Sequence, residues 1–364
     1  MRVVVSAGGT GGHIYPAVAI INKIKEKEPK SEFLYIGTTD RMEKDIIPAL
    51  GINYQGIEVS GIKRALTMKN INSLVQFIKA RAKCKKIIKE FNPDIVVGTG
   101  GYVTAPVIWA SKKLGKKTFI HEQNSVVGLS NKYLTKYADK VGISFESTRK
   151  DFPKDKVVLT GNPCGESAIS LKQANKSDYK LSNSKKLVLI VMGSLGSKTI
   201  NDKIVSFIDN FKQKDYEVMF ITGKTYYEEV KNLKLPTNVK ISAFINEMPS
   251  LMKVADLIIT RAGASTMSEI IALEIPAIFV PSPFVTNNHQ YKNAQDLVEK
   301  QAGLILEEKN FTWENLEKNI DDILSNRRRY EEIKHNLKKI AVTNSSEKIY
   351  NILKEMITND KKHI

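Results

Sequence analysis

Near its start the chain runs Ser6-Ala7-Gly8-Gly9-Thr10-Gly11-Gly12-His13, and few folds accommodate such a stretch. It follows the apolar run Val3-Val4-Val5 and leads into a segment where Val18, Ile21 and Ile24 recur at helical spacing. The reading is strand, glycine loop, helix. Glycines let the backbone come within contact distance of a ligand, while the first helical turn offers unpaired N–H groups and a positive dipole end. An anion or a sugar hydroxyl belongs there. The loop lacks the G-x-G-x-x-G spacing of dinucleotide enzymes and ends in a histidine where they place a small packing residue, so hydride transfer is disfavoured. His13 is either a general base, kept neutral by the helix dipole, or a histidine that hydrogen-bonds substrate or backbone and moves no proton.

At 364 residues the chain exceeds the size at which one core usually stops growing, so two domains are expected. Cys84 and Cys164, far apart and without C-x-x-C spacing, argue against a disulfide framework or a zinc site and fit a reducing compartment. No secretory signal is visible, and no apolar run approaches the roughly 18–20 residues of a spanning helix. A net charge of +17 points either to an anionic partner, such as nucleic acid, an acidic membrane face or a phosphorylated substrate, or to a Lys-, Ile- and Asn-rich composition that spreads charge over the surface without a specific target.

Along the chain, Phe33 to Ile36 reads as a buried parallel strand and Met42 to Leu50 as a helix closed by Gly51. A basic region follows, with Lys63, Arg64, Lys69, Lys79, Arg81, Lys83, Lys85, Lys86 and Lys89 and scarcely an acid. Within it Ile71, Leu74, Val75, Ile78 and Ala82 keep helical spacing and are expected to pack on the sheet, leaving Phe77 as an exposed aromatic. Such a helix either lies on anionic headgroups or is a solvated face. Asp94 to Val97 then feeds a second glycine turn, Gly98-Thr99-Gly100-Gly101-Tyr102, and Lys117 to Ile120 ends in His121-Glu122-Gln123-Asn124, polar residues where an open α/β sheet places its ligand site. Gly161-Asn162-Pro163 is a turn where the chain can leave the domain.

The layout restarts at Leu187 to Val191 with the turn Gly193-Ser194-Leu195-Gly196-Ser197. The fold class is therefore α/β, two Rossmann-like domains facing across a cleft with a C-terminal helical tail bracing them. The expected boundaries are an N-terminal domain 1–163, a linker 164–186, a second domain 187–340 and a final helix within 341–364 that returns to the first domain. In the second half, Thr260 to Glu269 opens a helix whose N–H groups suit a diphosphate, with Arg261 close enough in sequence to neutralise it. Glu269 can accept both hydroxyls of a ribose, but Thr266-x-x-Glu269 is also a capping box that would occupy the carboxylate locally.

Six motifs in order, Gly8-Gly-Thr-Gly-Gly-His13, Gly100-Gly-Tyr102, His121-Glu-Gln-Asn124, Gly161-Asn-Pro163, Arg261-x-Gly263-Ala264-x-Thr266-x-x-Glu269 and the Gln290 segment, resemble the bacterial MurG glycosyltransferases of family 28. The resemblance runs from Met1 to the final helices. It implies a GT-B fold and inverting transfer of N-acetylglucosamine from UDP-N-acetylglucosamine to the 4-hydroxyl of an undecaprenyl-linked muramyl-pentapeptide acceptor. It places substrate contacts on Thr10, Gly11, Gly12, Asn124, Ser194, Ile245, Arg261, Ala264, Thr266, Glu269 and Gln290. The candidate base is His13, with Glu122 in reserve. No cofactor and no metal are expected. The implied partners are both substrates and an anionic membrane surface, with other cell-wall synthesis proteins as candidates and nucleic acid excluded. The implied location is peripheral, at the cytoplasmic face of the bacterial membrane.

Two positions depart from the family pattern, Gly165 where arginine is usual and Leu195 where glutamine is usual. From sequence, Gly165→Arg is expected to lower the KM for the donor. The competing readings are a diacylglycerol glycosyltransferase, a UDP-sugar epimerase of the same fold, and a nucleic-acid-binding protein, which lacks both a binding motif and stacking aromatics among its lysines.

Overall fold

A computed structural model describes residues 1–60, 68–193 and 196–361 and divides the chain into two compact units, Met1–Cys164 with Asn344–Ile364, and Gly165–Thr343. The first unit contains β1 (Arg2–Ala7), α1 (Gly11–Lys27), β2 (Glu32–Thr38), α2 (Glu43–Ala49), β3 (Asn53–Ile57), α3 (Met68–Phe91), β4 (Ile95–Gly100), α4 (Thr104–Lys113), β5 (Lys117–Glu122), α5 (Leu129–Leu134), β6 (Lys140–Ile143) and β7 (Val157–Leu159). All its strands are parallel, in the order β3-β2-β1-β4-β5-β6-β7. Side chains alternate across a strand, so Val4 joins a core on one face with α3 and α4, while Val3 and Val5 join the other with α1. Strands buried on both faces carry near-continuous apolar runs, which is why Val3-Val4-Val5 and Ile95-Val96-Val97 announce themselves in sequence.

The second unit follows α6 (Pro163–Ser170) with β8 (Leu187–Val191), α7 (Lys198–Ser206), β9 (Glu217–Ile221), α8 (Lys224–Val230), β10 (Val239–Ser242), α9 (Met248–Met252), β11 (Leu257–Thr260), α10 (Ala264–Ala272), β12 (Ala277–Phe279), α11 (His289–Glu299), β13 (Leu304–Ile305), α12 (Trp313–Leu324) and α13 (Arg327–Ile340). Its parallel order β10-β9-β8-β11-β12-β13 repeats the plan of the first sheet. In both, strand order reverses beside the first strand, β1 against β4 and β8 against β11, the place where doubly wound sheets bind ligands. The last helix, α14 (Ser345–Lys361), belongs to the first unit, where Ile349 and Leu353 are buried against the α1 side of the core.

Two expectations are corrected here. Residues 164–186 are no free linker: α6 occupies their start, Leu181 is buried, Ala174 N donates to Ser250 O, and Ser182 N donates to Glu217 Oε2 at 2.6 Å. Helix α3 is also rotated from its expected facing. Val75 and Ile78 are exposed, whereas Ser73, Phe77, Ala80, Cys84, Ile87 and Ile88 face inward. The same 3.6-residue period fits both stripes, and the inward one is set by the fit against α4 and the sheet. The side chains of Lys69, Ile71 and Leu74, together with Lys63 and Arg64, lie outside the described residues.

Candidate active site

In the first unit the site is the carboxyl edge of the sheet. Gly8 N donates to Gly100 O, and a Cβ on Gly101, whose φ is +84°, would fall 2.4 Å from Gly8 O. The two glycine turns are thus in mutual contact, which explains why glycine follows β1 directly and closes β4. Thr10 is the N-cap of α1, its carbonyl accepting from His13 N and Ile14 N, so Gly11 and Gly12 supply first-turn N–H groups that no helical carbonyl can satisfy. His13 stands in this turn with its ring against Gly100, where a Cβ would lie 2.6 Å from the imidazole. Its Nδ1 is 3.1 Å from Gly8 O. A carbonyl only accepts, so Nδ1 carries the proton and the lone pair of the neutral ring sits on Nε2.

Glu122 is engaged by its own loop. It is buried, with Oε1 accepting from Asn124 N and Nδ2 and Oε2 accepting from Gly128 N and Asn131 Nδ2, both at 2.9 Å. With four donors on it, the carboxylate organises the loop that presents Asn124. His121 is fully buried, and burial pulls its pKa down to about 4. The ring is therefore neutral, with Nε2 donating to Gly161 O at 2.8 Å and Nδ1 facing Gln123 Nε2. Gln123 Nε2 also donates to Thr99 O, so these residues join the ends of β4, β5 and β7.

The second unit repeats the arrangement around α10. Gly263 is its N-cap, with no side-chain capping bond. Thr266 and Glu269 consequently lie inside the helix, and the capping box expected from their spacing does not form. The Glu269 side chain makes no hydrogen bond among the described residues, and burial pushes its carboxyl up to about 8. Such a group lacks a protein partner for its charge and suits a ligand's hydroxyls. Ala264 opens the helix, Ile245 is buried just past β10 beside exposed Phe244, and Gln290 Oε1 accepts from Ser282 N at 2.8 Å, leaving its amide nitrogen as a donor. Ser194 and Leu195 lie outside the described residues.

Arg261 is engaged by the protein itself. Its guanidinium donates to Glu308 Oε2 at 3.0 Å, to Val280 O at 2.9 Å and to Ser197 Oγ at 2.6 Å. Its charge is thus paired with Glu308 within the protein, and it fastens three loops together. Sequence reasoning also missed Glu43, Asn131, Asn293 and Glu308. Asn293, buried on α11, donates to Ala262 O and steadies the Gly263 turn. These partners are 9 to 47 residues from the groups they hold, with no local pattern to reveal them. Among the described residues no group of three or more His, Cys, Asp or Glu could hold a metal ion, and no helix is long and apolar enough to cross a membrane.

Two Rossmann-like units in succession, each with a glycine turn at the strand-order reversal of its sheet, are the arrangement of the GT-B fold. The chain belongs to glycosyltransferase family 28: the model of that family's N-terminal domain matches residues 3–143 and that of its C-terminal domain residues 187–352. It is 45% identical over 362 residues to the UDP-N-acetylglucosamine--N-acetylmuramyl-(pentapeptide) pyrophosphoryl-undecaprenol N-acetylglucosamine transferase of Bacillus cytotoxicus, covering 98% of this chain and 100% of that one. The crystal structure of Acinetobacter baumannii MurG superposes with a TM-score of 0.78 at 28% identity, covering 97% of this chain and 99% of that one. A UDP co-structure of S. aureus MnaA, 15% identical with a TM-score of 0.71 and coverage of 98% and 97%, shares the fold.

Proposed function

We propose that the protein transfers N-acetylglucosamine from UDP-N-acetylglucosamine to the 4-hydroxyl of muramyl-pentapeptide-pyrophosphoryl-undecaprenol, the step that completes the lipid-linked disaccharide of peptidoglycan. The observation that carries this reading is the unbroken, near-full-length likeness to curated transferases of that name. The residues support it. The acceptor oxygen attacks the anomeric carbon, the bond to the diphosphate breaks, and UDP leaves with inverted configuration at carbon. His13 Nε2 takes the hydroxyl proton, since Nδ1 is committed to Gly8 O. Gly11 and Gly12 offer N–H groups to the acceptor's pyrophosphate. On the donor side Glu269 receives the ribose, Ile245 reads uracil through its backbone, and the Ala264 end of α10 stabilises the departing diphosphate, with Thr266 and Gln290 completing the contacts. Thr10 and Asn124 touch the sugar.

The lipid acceptor calls for a membrane-facing surface, and α3 supplies one. Exposed Val75 and Ile78 stand among exposed Lys79, Lys83, Lys85 and Lys86. Beside them Arg81 stacks 3.6 Å over Trp109, and Lys136 lies over Tyr133. Apolar side chains ringed by cations and interfacial aromatics suit the anionic cytoplasmic leaflet.

The test is UDP release from UDP-N-acetylglucosamine with and without a short-chain lipid acceptor, run on wild type and His13→Ala. Acceptor-dependent release with a disaccharide product supports the reading, with His13→Ala losing more than about 100-fold in kcat at unchanged KM. Turnover without acceptor would point to epimerisation, and turnover on diacylglycerol alone to the other transferase.

A further inference from the structure

Glu43 opens α2, and its side chain is fully buried. No ion pair compensates it among the described residues. A buried carboxylate without a cation is costly, and three hydrogen bonds hold this one: Oε1 accepts from Thr38 N at 3.0 Å and Thr38 Oγ1 at 2.7 Å, and Oε2 accepts from Gly9 N at 3.1 Å. The third bond reaches the catalytic loop. In a trans peptide the N–H and the C=O point in opposite directions, so fixing Gly9 N–H on Glu43 aims the Gly8 carbonyl the other way, at His13 Nδ1. Gly8 and Gly9 have no side chains to stop that peptide from flipping, and Gly9 has a φ of +89°. The carboxylate supplies the missing restraint. A charged acceptor on the N–H also polarises the peptide and makes Gly8 O a stronger acceptor.

We propose that Glu43 is a positioning residue for the transfer reaction, holding the His13 imidazole in its Nδ1–H tautomer through the Gly8–Gly9 peptide and so keeping the lone pair on Nε2. This rests on His13 being the base. The groups facing the relay leave it dominated by Glu43. From β2 and β3 come the phenols of Tyr35 and Tyr54, both raised by burial and by Glu43 and therefore neutral. From the turn before α2 and from α2 itself come exposed Asp40, Arg41 and Asp45. From β4, His13 meets Thr99 Oγ1 and Gly100, which do not titrate. From α14, Glu347 pairs with Lys23 and Lys27, and Lys354 with Glu28, all about 15 Å or more along α1 from His13.

The experiment compares wild type, Glu43→Gln, His13→Ala and the double variant by steady-state kinetics, and reads the tautomer of His13 from imidazole ¹⁵N shifts in histidine-labelled protein. Gln keeps the volume but turns either a donor or a weaker acceptor toward Gly9 N–H. The expected result is a kcat lowered roughly 10- to 100-fold with the donor KM within about twofold, as for other residues that orient a functional histidine. The acid limb of the rate profile should move to lower pH, because removing a negative charge lowers the basicity of His13. The ¹⁵N spectrum should show mixed tautomers, and Glu43→Gln should cost nothing further once His13 is alanine. Additive losses, or an unmoved tautomer and acid limb, would overturn the proposal. A full kcat in His13→Ala would overturn the base assignment instead, and the spectra would then decide the relay alone. Should Glu43→Gln fail to fold, Glu43→Asp decides: it keeps the charge but withdraws the oxygen from Gly9, so mixed tautomers support the proposal and a single Nδ1–H form overturns it.

Discussion

Arg261 and Glu308 form an ion pair of 3.0 Å in which each side chain is only about one-tenth exposed, 11% and 10%. Removing one partner of a buried pair strands the other charge, and this typically costs about 3–5 kcal/mol. Arg261→Ala is therefore expected to lower unfolding free energy by roughly that amount, and the double variant with Glu308→Ala by less than the sum of the two singles. Urea unfolding of the four proteins measures the coupling. A loss confined to donor KM, with stability intact, would instead return Arg261 to the role of a phosphate ligand.

Glu269 carries a pH dependence whose sign follows from its environment. Its folded pKa, raised to about 8 by burial, lies above the unfolded value, so the neutral form is favoured in the fold. Its contribution to stability is complete below the unfolded pKa and is lost as pH rises through about 8. Glu269→Gln should thus gain stability relative to wild type across that window. Two ribose hydroxyls donating to the group favour the carboxylate, so UDP binding at pH 7 should release a proton from wild type and none from the variant. Calorimetry in buffers of different ionisation enthalpy reads this directly.

Gly165 reverses an expectation drawn from sequence. A Cβ there would fall 2.8 Å from Ser268 O and 3.1 Å from the Ala272 side chain, so α6 touches the backbone of α10 at this glycine. Both Gly165→Ala and Gly165→Arg must push the helices apart and disturb the helix that carries Thr266 and Glu269. The expected outcome is a higher donor KM and a lower Tm. An arginine variant with improved donor KM would show that α6 can shift without penalty.

On α3 two kinds of substitution separate two kinds of attraction. Lys79→Glu with Lys86→Glu should weaken binding to anionic vesicles at low salt and matter little at high salt, because surface attraction is screened within about a Debye length. Val75→Glu with Ile78→Glu should weaken binding at both. Arg81 and Lys83 are poorer probes, since Arg81 stacks on Trp109 and Lys83 donates to Gly56 O, so their loss also disturbs packing. Vesicle sedimentation across a salt series distinguishes the cases.

The sheets were legible because strands buried on both faces write continuous apolar runs, and the site edges because glycine turns end those strands. The facing of α3 was not legible: the stripe through Val75 and Ile78 and the stripe through Phe77, Ala80 and Cys84 have the same period, and tertiary packing chose the second. At α10 a local capping pattern lost to Gly263, which begins the helix three residues earlier than Thr266 would have done. The engagement of Arg261 and Glu122 within the protein was hidden in the sequence for a common reason. A charged residue in a motif looks free until the partner that engages it, Glu308 or Asn131, is brought in from elsewhere in the chain.

The first unit is built from sequence that precedes and sequence that follows the second, because Ile349 and Leu353 of α14 lie in the same buried layer as Val3, Val5 and Ile21. During synthesis that layer stays open while residues 165–343 are made, and the second unit can assemble from one contiguous stretch in the meantime. The core of the N-terminal unit is therefore completed only after the second unit has been synthesised. Until Leu353 arrives, the apolar surface that α14 covers on α1 and β5 is exposed to other chains and to chaperones, so a truncation that removes only the last helix should act on solubility during expression before it acts on catalysis.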